Sequence, residues 1–79
     1  MRVQKQAERL QAISAARAAV RDGRLRDLRE RMGLSQRELG HALGVDTSAV
    51  SRWESGDRMP REAQAVRLHG LLRVLEGGP

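Results

Sequence analysis

Residues 35–56, SQRELGHALGVDTSAVSRWESG, hold two short helical patterns back to back. Ser35 and Glu38 have the spacing of a capping box, in which the serine oxygen accepts the amide three residues on and the glutamate reaches back. Leu39, Ala42 and Leu43 then fall on an inward face, and Gly44 stops the helix after two turns. Asp46 stands at the cap position of a second helix through Thr47, Ser48, Val50, Ser51 and Trp53, which Ser55-Gly56 ends. Two helices joined by a glycine turn cross steeply. Leu39, Leu43, Val45, Val50 and Trp53 supply the apolar contact between them.

Outward from this pair, helical signals continue. From Arg24 a helix places Leu25, Leu28 and Met32 three and four apart, and Gly33 closes it as a C-terminal cap. Upstream, Asp22-Gly23 punctuates the chain after residues 3–21, which lack Pro and Gly and are dense in Ala, Gln and Arg. There Val3, Ala7, Leu10, Ile13 or Ser14, Ala16 and Val20 form a thin apolar stripe of helical spacing. Downstream, Pro60 suits a first helical position. The last helix is expected from about Arg61 to Leu75, with Ala65, Val66, Leu68, Leu72 and Leu75 as its inner face. The fold class predicted is all-α: a compact bundle of four to five short helices with an extra N-terminal helix. Residues 1–23 are the expected helical extension, 24–76 the domain, and 77–79 a disordered tail.

Composition narrows the function. The chain has 79 residues, 39% hydrophobic, with no cysteine. A chain this short buries only about 60% of its unfolded surface, which disfavours a deep catalytic pocket. Without cysteine there is no disulfide, thiolate metal site or thiol nucleophile. His41 and His69 lie apart on expected helices, with no partnered nucleophile for a Ser-His-Asp arrangement. No enzyme, metal site, cofactor or small-molecule ligand is expected. The start, MRVQKQAERL, has no apolar signal core, and no apolar run approaches the roughly 20 residues that span a bilayer. The expectation is a cytoplasmic protein without a membrane partner. Trp53 is the lone aromatic residue, too few for the stacking platforms of single-strand binders.

Charge points toward nucleic acid. Lys+Arg number 15 against 10 Asp+Glu, and all of these cations but Lys5 are arginine. Arginine is the fork that matches phosphates and guanine edges, although a GC-rich genome also favours arginine codons. The second helix of the central pair carries Thr47, Ser48, Ser51 and Arg52 on its outer face, all small, polar or basic. In a chain with 32% charged residues, an acid-free face suits an approach to phosphates. A helix standing proud in this way fits a major groove about 12 Å wide.

The stretch LRDLRERMGLSQRELGHALGVDTSAVSRWESGDRMP, and above all VSRWESG with Pro60 four residues after Gly56, resembles the phage-repressor and Cro type of helix-turn-helix domain, the XRE family. The resemblance covers Arg24 through Val74. It implies a lambda-repressor-like domain of five helices, with helices two and three as the DNA reader. Thr47, Ser48, Ser51 and Arg52 match positions that face base edges. Gln36 matches a position that contacts phosphate or braces a reading side chain, and Arg37, Ser55, Arg58 and Arg61 match phosphate contacts around the rims. Arg29 and Glu54 match a structural ion pair. Gly40 replaces the usual alanine at the close approach of the two helices. Arg73 replaces a glycine that separates helices four and five, which implies an unbroken last helix to Leu75 or Glu76. Thr47 and Ser48 serve equally as ordinary first-turn residues, and Trp53 belongs to the core.

The function expected is a sequence-specific, double-stranded-DNA-binding transcriptional regulator. A repressor binding an inverted repeat as a homodimer, of bacterial or phage origin, is the leading form. An antitoxin that autorepresses its operon, with a toxin partner, is the alternative. A protein-binding adaptor is the rival of another class. Dimer surfaces expected are the N-terminal stripe and the Leu68-Leu72-Leu75 face.

Overall fold

The computed structural model describes residues 2–77. Five helices follow one another: α1 Arg2–Arg21, α2 Arg24–Arg31, α3 Gln36–Leu43, α4 Thr47–Ser55 and α5 Glu62–Leu75. The fold is an all-α bundle, the lambda/Cro-like arrangement with an additional N-terminal helix. Of the expected tail, Gly78 and Pro79 lie outside the described residues.

Local chemistry sets the helix ends. At Ser35 both halves of the capping box form: Glu38 N–H donates to Ser35 Oγ at 2.9 Å, and Ser35 N–H to Glu38 Oε1 at 2.8 Å. α3 ends in a paired closure, with Val45 N–H on Gly40 O at 2.9 Å and Gly44 N–H on His41 O at 3.2 Å. That closure holds Gly44 at φ +70°, a left-handed conformation that side chains with a Cβ resist. Gly40 is required for a different reason. A Cβ there would lie 2.9 Å from Val45 O and 3.4 Å from Asp46 O, so the α3–α4 turn packs directly on bare backbone.

One apolar core joins all five helices. Ile13, Ala16, Ala19 and Val20 come from α1 and Leu25 and Leu28 from α2. Leu39 and Leu43 come from α3, Val50 and Trp53 from α4, and Ala65, Leu68 and Leu72 from α5. Each large side chain so buried is worth about 1.5–3 kcal/mol. The second half of α1 is therefore core, whereas residues 2–11 are exposed throughout, including Val3 and Leu10.

Several local expectations are corrected. The α1 stripe is buried only from Ile13 onward, and Ser14 is exposed. Met32 follows the end of α2 as its C-cap and is 46% exposed. Ala42 is exposed, because Leu39, Gly40 and Leu43 centre the inner face of α3 about 100° away from it. Asp46 occupies the N-cap of α4, but its side chain makes no capping bond. Pro60 is buried two residues before α5 rather than being its first residue. Other expectations hold: residues 24–76 carry four helices, within the four to five expected, and the last helix is continuous. α5 runs unbroken through Gly70 to Leu75, and the fifth helix of the bundle is α1.

Candidate nucleic-acid interface

α4 divides cleanly into two faces. At about 100° per residue, Ala49, Trp53, Val50 and Glu54 form one arc, and Thr47, Ser51, Ser55, Ser48 and Arg52 the other. The first arc is buried or half-buried, and every residue of the second is exposed. The first turn of α4 contains no acid, so the positive end of its dipole is uncompensated within the helix. Ser55 Oγ donates to Arg52 O at 3.1 Å, which uses its single proton. A phosphate contact by Ser55 would require that hydroxyl to rotate away.

The inner edge of this surface is tied to α2. Arg29 Nε donates to Glu54 Oε2 at 2.6 Å and Nη2 to Glu54 Oε1 at 2.8 Å, a two-pronged ion pair. The same guanidinium donates from Nη1 to Leu34 O at 2.8 Å, in the loop before α3. Gln36 Nε2 adds a bond to Glu54 Oε1 at 3.0 Å. Only 4% of the Glu54 side chain is exposed. Burial pushes its carboxyl up, but the hydrogen bonds from Arg29 and Gln36 and the arginine charge outweigh this, and the net shift is downward. Hydrogen bonding to Glu54 raises the Arg29 guanidinium further above its ordinary value. Both groups stay ionised at neutral pH. Gln36 keeps a second amide proton free for an outward partner.

Arginines flank the outer arc of α4 on both sides. On one side, Arg37, His41, Asp46 and Thr47 line a shallow concavity between the starts of α3 and α4. On the other, Arg52, Arg58 and Arg61 line one groove with Ser48 and Gln64, between α4 and the loop that follows it. Among the described residues none of these arginines is in a salt bridge. Asp46 borders both concavities, and Glu38 is a second acid in the lining of the first.

Sequence reasoning missed three residues that shape this surface. Gln64 Oε1 accepts from Arg61 N–H at 3.0 Å, half of a capping box whose other half an arginine side chain cannot supply. The x-x-Gln spacing after Arg61 carried that signal. Arg67 Nη1 donates to Leu43 O at 3.3 Å, pinning the end of α3 to α5. Arg17 Nε donates to Pro60 O at 3.0 Å, from α1 to the α4–α5 loop. No spacing rule reveals the last two.

Residues 25–75 match the model of the family described as Helix-turn-helix. The chain belongs to that helix-turn-helix family. Its matched segment begins at α2 and takes in the whole surface described above, while α1 lies outside it. This is a family of non-catalytic, DNA-binding regulators. Two archaeal proteins named as HTH-type transcriptional regulatory proteins, from Pyrococcus furiosus and Pyrococcus abyssi, are each 47% identical to it over 49 residues. Those residues are 62% of this chain and 16% of each relative, so the chain corresponds to about one sixth of their length. No solved structure matches it. Among the described residues no helix is long and apolar enough to cross a membrane.

Proposed function

We propose that this chain reads double-stranded DNA in a sequence-specific way and represses transcription as a homodimer on an inverted-repeat operator. The observation that carries the reading is the acid-free outer arc of α4 set between arginines that form no salt bridge among the described residues. Inserted in a major groove, α4 would bring Thr47, Ser48, Ser51 and Arg52 to base edges. Arg52 supplies the bidentate fork for guanine, worth about 1–3 kcal/mol of discrimination. The hydroxyls and the Thr47 methyl suit phosphate, adenine or thymine edges. Gln36, Arg37, Ser55, Arg58 and Arg61 would meet the backbone on either side and set the register.

A single helix-turn-helix touches too few base pairs to find one genomic site. Two copies about a two-fold axis would read half-sites roughly 34 Å apart. Leu68 and Leu72 are buried within the monomer, so the face of α5 left for a partner is Leu71, Val74 and Leu75. The exposed Val3 and Leu10 of α1 are the other apolar surface. Repression would be steric, by occupancy of a promoter.

Selection of a randomised duplex pool at near-physiological salt tests this reading. Enrichment of an inverted repeat with half-site centres about ten base pairs apart supports it. A pool left random by folded protein would favour the adaptor reading, in which the same fold binds a protein.

A further inference from the structure

The loop between α4 and α5 carries Arg58 and Arg61, the rim that faces DNA in the reading above. Its first part is held by α4, through Asp57 N–H and Arg58 N–H on Arg52 O at 2.9 and 3.3 Å. Its last part is held by the Gln64 bond to Arg61 N–H. Between them lies Pro60, which has no N–H to donate and is buried. Its carbonyl precedes the N-cap of α5, so no helical amide of that first turn reaches it. The partner it finds is Arg17 Nε at 3.0 Å, a charged donor from a helix outside the family-matched segment 25–75.

We infer that Arg17 is a positioning residue for DNA binding, clamping α1 to the Pro60 carbonyl so that Arg58 and Arg61 are held at the edge of the α4 groove. The inference rests on the DNA reading proposed above. Arg17 is half-buried at the root of α1's core segment, where Ile13, Ala16 and Ala19 fix the helix. Its fork is thus set by rigid packing rather than by its own long stem. Loss of the donor leaves a buried carbonyl either unpaired or hydrated, and frees the middle of the loop. The effect would fall on phosphate contacts and leave base preference alone, because α4 itself is held by Glu54, Val50 and Trp53.

Arg17→Met keeps the stem and removes the donor, and Arg17→Lys restores a charged donor of different shape. In the free protein, Arg17→Met should speed hydrogen exchange at the backbone amides of Arg58, Met59 and Arg61 while circular dichroism shows the helices intact. On a duplex recovered by pool selection it should weaken binding about fivefold and lower the log-log salt slope by about one, the share of one phosphate. Arg17→Lys should recover part of the affinity. In an Arg58→Ala/Arg61→Ala background, Arg17→Met should change affinity less than twofold. Unchanged exchange at those amides would overturn the positioning role. So would a full fivefold loss in the double-alanine background, which would make Arg17 a phosphate contact in its own right. If Arg17→Met fails to fold, the same comparison with Arg17→Lys decides, through a smaller loss that again vanishes in that background. A wild-type chain that binds no duplex would instead overturn the DNA reading on which the inference rests.

Discussion

Arg29 on α2 and Glu54 on α4 meet fork to fork, with Nε–Oε2 at 2.6 Å and Nη2–Oε1 at 2.8 Å. The pair fixes the rotation of α4 about its axis, and so which side chains face outward. Breaking it leaves one charge with little solvent access. Glu54→Leu should lower unfolding free energy by about 3 kcal/mol in urea denaturation. Adding Arg29→Leu should recover part of that loss, since two apolar side chains of similar size replace an ion pair that was costly to desolvate. A double variant less stable than Glu54→Leu alone would contradict this account.

The same carboxyl gives the stability a pH dependence of definite sign. Glu54 lies below its ordinary value of 4.5 in the folded chain, as does Glu38 through its bonds to Ser35. A depressed carboxyl contributes stability that is fully present above its unfolded value and lost as pH falls through the folded one. Stability should therefore hold from neutral pH to about 5 and fall below it. Glu54→Gln should flatten this acid limb, as read by thermal unfolding across pH 2–7.

Gly40 tests the α3–α4 turn. A β-branched side chain there would be driven into the Val45 and Asp46 carbonyls, at 2.9 and 3.4 Å from its first carbon. Gly40→Val should cost about 1–3 kcal/mol by overpacking. It should also weaken duplex binding beyond its effect on stability, because the turn sets the angle between α3 and α4. A variant with unchanged Tm would show that the turn yields freely.

Arg61 lines the groove beside α4 with Arg52 and Arg58, and in the proposed reading it meets a phosphate rather than a base. Arg61→Ala should weaken binding to all duplexes alike and reduce the salt slope by about 0.9, the value for one phosphate. A change confined to particular sequences would move Arg61 among the base readers.

The central pair of helices was legible because its signals are local. The Ser35–Glu38 capping box and Gly44 mark the ends of α3, and the Val50–Trp53 spacing marks the inner face of α4. The ion pair of Arg29 with Glu54 came through family resemblance, since a contact across 25 residues leaves no periodic trace. The depth of α1 in the core was not legible. Alanines 16 and 19 are fully buried, but small side chains give too weak a periodic signal to tell a packed helix from a surface one. The arginines that hold main-chain carbonyls, Arg17 and Arg67, were hidden for a related reason. Sequence counts them as charge, and only the fold shows that each has a carbonyl to hold.

The measurement that bears most directly on α4 as the reading helix is pool selection run in parallel on the wild-type chain and Arg52→Ala. The account predicts the same inverted repeat from both, with the preference lost at one symmetry-related position per half-site and discrimination there reduced by about 1–3 kcal/mol. Identical base preferences from the two proteins would contradict it, and would mean that the exposed arc of α4 does not read the bases.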